Sequence, residues 1–147
     1  AHAASAQGVH AVEHIAGLEP QSLSYQDMPK ATYSNPQVAS FGLTEQQARD
    51  QGHEVLVGKF PFLASSKAIA SGHTEGFAKL VTDAKHGEIL GGHIIGAEAT
   101  ELLAELSMTR LLEGTVSELG WMVHSHPTLS ETLKEAALAA RGGAIHI

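Results

Sequence analysis

Phe77-Ala-Lys-Leu-Val-Thr82, Asp83-Ala-Lys-His-Gly-Glu88 and Ile89-Leu-Gly-Gly-His-Ile-Ile95 follow one another without a break, and their reading decides the fold. Two short apolar runs flank a polar segment with Gly87 where a turn needs positive φ, which predicts an antiparallel hairpin. Downstream, Ala97 to Glu113 has helical periodicity, with Leu102, Leu106, Thr109 and Leu112 on one side and Gly114 as its stop. Val116 to Met122 reads as one short helix. A last helix runs from about Ser130 to Arg141 and is closed by Gly142-Gly143. Upstream, Val55, Val57 and Phe60 alternate with polar neighbours across His53 to Phe62, and Pro61 either puts that strand at an edge or ends it. Ala64 to Gly72 reads as a loop. Val38 to Phe41 forms a short strand, and Thr44 with Gln47 makes a capping box for a brief helix ending at Gly52. Leu18 to Pro36, with Pro20, Pro29 and Pro36, has the composition of an irregular connection, and residues 3–16 form a helix stopped by Gly17. This order predicts an α+β fold, an antiparallel sheet with helices packed on one face in two layers, and not a doubly wound nucleotide fold.

The chain has 147 residues, enough for one domain with a real core. Its formal charge of -7, with Lys and Arg thinly spread, argues against nucleic acid or an anionic membrane surface as partner. No apolar stretch reaches the roughly 18 residues of a membrane span. With no cysteine, this polypeptide has no disulfide scaffold, thiolate metal site or thiol catalysis of its own. The opening Ala1-His-Ala-Ala-Ser-Ala-Gln7 resembles neither a signal nor a transit peptide; it reads as a helix entered partway, in a fragment of something longer.

The chemistry is concentrated in His124-Ser-His-Pro-Thr-Leu-Ser-Glu131. An imidazole titrates near neutral pH, and a carboxylate on its far nitrogen fixes the tautomer, so His126 and Glu131 are candidates for a general acid/base pair. Thr128 to Glu131 is also a capping box, a structural role that needs no catalysis. The roles are compatible, because one carboxylate oxygen can bond backbone while the other faces the imidazole. Pro127 permits a cis peptide after His126. A zinc site wants three or four ligands at recognisable spacing, and His124 with His126 has no second cluster, so no metal is expected. His14, His53, His73, His86 and His93 read as surface or satisfied sheet residues. Gly91-Gly92 lacks the spacing of a dinucleotide turn and reads as close packing within a strand.

Four stretches together resemble the C-terminal interface (dimerisation) domain of the pyridine nucleotide-disulfide oxidoreductases, in its dihydrolipoamide dehydrogenase branch. They are Ala1 to Gly8, Phe60-Pro-Phe-Leu-Ala-Ser-Ser-Lys-Ala68, the segments Gly76 to Val81 with Ile89 to Leu102, and His124 to Glu131. The resemblance implies residues 1–30 belonging to a preceding flavin-binding part and residues 31–147 forming the dimerisation domain. It implies His126 as acid/base with Glu131 orienting it, the backbone of His126 and Pro127 near the flavin of a partner subunit, and Ala1 and His2 near the flavin of their own. It further implies a homodimer using FAD and NAD to oxidise dihydrolipoamide. The components of a 2-oxoacid dehydrogenase or glycine cleavage complex would be its partners, in bacterial cytoplasm or an organelle matrix and not secreted. No cofactor is expected on this piece, which lacks the cofactor domains and redox cysteines and would be inactive alone. Ser66-Lys67 departs mildly from the Asn-Ser-Arg character of the lipoamide branch. A glutathione-reductase-type relative and a purely structural interaction module are the alternatives; a self-contained hydrolase has no nucleophile or oxyanion site.

Overall fold

A computed structural model describes residues 1–146. Five antiparallel strands form one sheet in the order β1-β2-β5-β4-β3. They are β1 Lys30–Thr32, β2 Gln37–Gly42, β3 Val55–Pro61, β4 Phe77–Asp83 and β5 Ile89–Gly96. The hairpin of β4 and β5 is the centre of the sheet, its turn closed by Asp83 and Gly87 (φ 75°). The Pro61-bearing strand is an edge strand, as its missing donor requires.

Helices α4 (Ala99–Leu111), α5 (Val116–Trp121) and α6 (Glu131–Ala139) cover one face. There Ala39, Phe41, Phe60, Leu80 and Ile94 from the strands meet Leu103, Leu106, Leu119 and Leu133 from the helices. The short helix α2 (Glu45–Asp50) closes part of the other face, where Ala48 and Leu43 pack with Val55, Val81 and Leu90. Its capping box is fully formed, Thr44 and Gln47 each satisfying the other's backbone N–H. Helix α1 (His2–Ile15) buries no side chain.

Four sequence expectations need correction. Residues 66–71 form a helix, α3 (Ser66–Ser71), and not a loop: Ser65 accepts from the Ala68 N–H at its start and Gly72 takes the left-handed conformation at its end. The connection before Pro36 contains β1, whose residues are all exposed and therefore show no alternation. Glu113 (φ 58°), and not Gly114, makes the left-handed turn after α4, and Leu112 is exposed beyond the helix instead of facing the core. The box at Thr128 is half formed, because the Thr128 hydroxyl donates to the Ser125 carbonyl (2.7 Å) and Ser130 is the N-cap of α6 without a side-chain bond.

On the open face the register aligns Lys30, Ser40, His93, Lys79 and Lys59 in one row across all five strands. Lys79 pairs with Glu45 of α2 at 2.9 Å, and His93 Nε2 is 3.0 Å from the carbonyl of Leu43, in the connection just before α2, so the two groups tie the helix and its approach to the sheet. Burial pushes His93 below the usual imidazole range, and the Lys79 and Lys30 charges add to that against the pull of the Leu43 carbonyl.

The glycines at the crossing points leave no room for a side chain. A Cβ on Gly58 would collide with the Ala136 carbonyl of α6, and one on Gly91 with the Leu43 carbonyl, as expected for glycine where two backbones approach. Gly58→Ala should therefore lower unfolding stability by about 1–3 kcal/mol through overpacking, read as a drop in the urea midpoint, whereas Gly8→Ala, at an open position without a left-handed φ, would add no such clash.

Candidate acid/base site

The segment leaving α5 runs through Met122 and Val123 to the two histidines, and alternation sends their rings in opposite directions. His124 turns inward, its side chain 3% exposed, with Nε2 2.7 Å from Glu105 Oε1 on α4 and Nδ1 3.3 Å from the Met122 carbonyl. His126 turns outward at 69% exposure, and its Nδ1 meets Glu131 Oε1 at 2.9 Å. Glu131 Oε2 accepts the Thr128 N–H at 2.8 Å. One carboxylate thus serves the imidazole and the helix entry together. The His126–Pro127 peptide is cis.

Partial burial alone would raise the Glu131 pKa, but the bonds from the Thr128 N–H and from His126 outweigh it and hold the carboxyl below its usual range. An ionised carboxylate on Nδ1 fixes that nitrogen as the donor and leaves Nε2 as the atom that exchanges a proton.

Sequence reasoning found His126 and Glu131, and the structure brings them together. It missed the partner of His124, and it missed a further pair altogether. Glu135, one helical turn after Glu131, is 5% exposed and accepts from the Ile145 N–H (2.8 Å), the His146 N–H (3.3 Å) and His146 Nδ1 (2.7 Å). The spacing of Glu131 and Glu135 puts both carboxylates on one helix face, a signal present in the sequence. His146 lies eleven residues beyond Glu135, where no periodicity points to it. A pocket of about 140 Å³ is lined by His126, Glu131, Thr132, Glu135 and His146, with Phe60, Ala64, Ser65 and Ser66.

Ala1 and His2 lie at the exposed start of α1, with His2 Nε2 2.8 Å from the Pro29 carbonyl, and they share neither that pocket nor a hydrogen bond with His126. Among the described residues no group of three or more His, Cys, Asp or Glu is arranged to hold a metal ion, and no helix is long and apolar enough to cross a membrane.

The described residues form an antiparallel sheet carrying three helices on one face, with an outward His-Pro motif at the entry of the last helix. The chain belongs to the pyridine nucleotide-disulphide oxidoreductase dimerisation domain family, whose model matches residues 28–137. It is 58% identical over 136 residues to the dihydrolipoyl dehydrogenase of Mycobacterium leprae, covering 92% of this chain and 29% of that protein. It is 49% identical over 146 residues to the dihydrolipoyl dehydrogenase of Bacillus subtilis, covering 99% and 31% respectively. The chain therefore spans about a third of the length of these curated relatives. Among solved structures, LpdA from Mycobacterium tuberculosis shares the fold with a TM-score of 0.83 at 23% identity, over 89% of this chain and 28% of that one. The flavoprotein disulfide reductase RclA of Escherichia coli, solved as a Cu(II) complex, is similar at a TM-score of 0.73 and 26% identity, over 76% of this chain and 25% of its own.

Because Glu131 is depressed in the folded state, its pairing contributes stability that is fully present above the ordinary carboxylate pKa of about 4.3 and is lost as pH falls through its lower folded value. A carboxyl NMR titration should place the Glu131 midpoint below the free-peptide value, and His126→Ala should move it upward; a midpoint indifferent to His126 would remove the pair.

Proposed function

We propose that this domain supplies His126, oriented by Glu131, as the acid/base group for the redox disulfide of a partner subunit in a homodimeric dihydrolipoamide dehydrogenase. The observation that carries the reading is an exposed imidazole whose Nδ1 is held by a carboxylate while its Nε2 has no partner among the described residues. Only a thiolate attacks a disulfide, so the substrate thiol must lose its proton as it reacts. His126 Nε2 takes that proton. The new sulfur–sulfur bond forms as the old disulfide breaks, and Glu131 stabilises the resulting imidazolium until the proton is returned to a leaving thiolate or to water.

FAD and NAD of the complete enzyme would supply the electron transfer. Of the residues described here, the exposed start of α1 at Ala1 and His2 would face the FAD of its own subunit and the exposed edge at His126 and Pro127 that of the partner. Without a cysteine of its own, the isolated chain is inactive. Residues 1–30 belong to the flavin-binding part, a reading supported by α1 burying no side chain. Such an enzyme would serve a 2-oxoacid dehydrogenase or glycine cleavage complex in a cytoplasmic or matrix compartment.

The family's pairing role has a matching surface. Met108, Leu111 and Leu112 at the end of α4, and Trp121 (86% exposed) and Val123 at the exit of α5, are large apolar side chains left uncovered. A second copy of the domain would bury them. The structural reading, a module in which the pair merely caps a helix, is favoured by one observation, the bond from the Thr128 N–H to Glu131.

In the complete enzyme His126→Gln should cut dithiol oxidation by about 10²- to 10⁴-fold with flavin still bound; unchanged turnover would leave only the structural module. By sedimentation, the chain should self-associate at high micromolar concentration and Trp121→Glu should weaken it, whereas a strict monomer would remove the claim that this piece suffices for pairing.

A further inference from the structure

The His126 pocket has a second imidazole in its wall. Glu135 holds the segment that carries it: a carboxylate 5% exposed, with three hydrogen bonds converging on it from two consecutive residues, Ile145 and His146. Burial alone would raise the Glu135 pKa, yet the bonds from His146 and the two backbone N–H groups keep it below its usual range, so an ionised clamp is the resting state. The arrangement repeats that of His126. In each pair Nδ1 is taken by a glutamate of α6, one helical turn apart, and Nε2 is the remaining hydrogen-bonding atom of an exposed ring on the same pocket.

We propose that His146 is a substrate-binding residue of this pocket, with Glu135 as its positioning residue. The inference rests on the reading of His126 as the proton carrier for a dithiol. No lysine or arginine lines the pocket, while two carboxylates do, and each is matched by one imidazole. A pocket without surplus positive charge takes an uncharged polar group, so the chemistry that fits His146 is the amide end of a thiol substrate and not a carboxylate end.

The test uses the complete enzyme, with dihydrolipoamide as probe and free dihydrolipoate for comparison. His146→Ala should raise KM for the amide about tenfold, the scale of one lost hydrogen bond, leave kcat and its pH profile within about twofold, and leave KM for the acid nearly unchanged. His146→Gln, which keeps a donor and an acceptor, should recover most of the loss. Glu135→Gln should reproduce the KM effect and, in the 147-residue chain, speed hydrogen exchange at the Ile145 amide. An unchanged KM in His146→Ala overturns the proposal, and so does a fall in kcat with a displaced pH profile, which would make His146 part of the proton machinery. Normal Ile145 exchange in Glu135→Gln overturns the clamp. Failure of the proton-carrier reading shows separately, as full turnover in His126→Gln.

Discussion

The approach of two backbones at Gly58 is the constraint on which the site depends. Strand β3 meets α6 so closely there that the Ala136 carbonyl and Ala140 leave no volume for a side chain. Small residues on the helix (Ala136, Ala137 and Ala140, all buried) complete the seat, while Leu133 and Phe60 fill the core on either side. Seated this way, α6 has one axial position and one rotation, and both of its pocket-facing glutamates inherit them. Widening the contact would move Glu131 and Glu135 together, away from rings that lie 2.9 and 2.7 Å from them.

The histidine segment is held from its other side by Glu105. The inward His124 spans from the loop to α4, so the outward His126 leaves an anchored chain instead of a free one. A proton-transfer group gains from such support, since misplacement of its nitrogen costs more than loss of a surface contact. The open sheet face follows a similar economy. His93 and Lys79 stand in a row of basic groups, yet each is bonded to the segment that carries α2, one through the Leu43 carbonyl just before the helix and one through Glu45 on it.

Most of the architecture was legible in the residues because its signals are local. Alternation marked β3, the turn glycine marked the hairpin, and the Thr44–Gln47 box marked α2. What escaped had its cause in tertiary context. Strand β1 is defined by pairing with β2 and carries no buried side chain, and α3 is six residues whose only flags are Ser65 and Gly72. Glu113 adopts a backbone usually left to glycine while Gly114 packs against Thr109, which no pattern rule anticipates. At the site, the five-residue spacing of His126 and Glu131 was readable. The His124–Glu105 and His146–Glu135 pairs join residues far apart in the chain and emerge only when α4, α6 and the 144–146 segment are placed.

Helix α1 shows where cohesion thins out. Three polar contacts fasten it to the connection that follows, His2 to Pro29, Gln7 to Tyr25 and His10 to Gln21, and its Val9, Val12 and Ile15 lie open to water. A helix of 14 residues without apolar burial sits near the length at which isolated helices are marginal in water. In this chain taken alone, limited proteolysis would begin between the end of that helix and Pro29, leaving the sheet and its three covering helices as the resistant remainder.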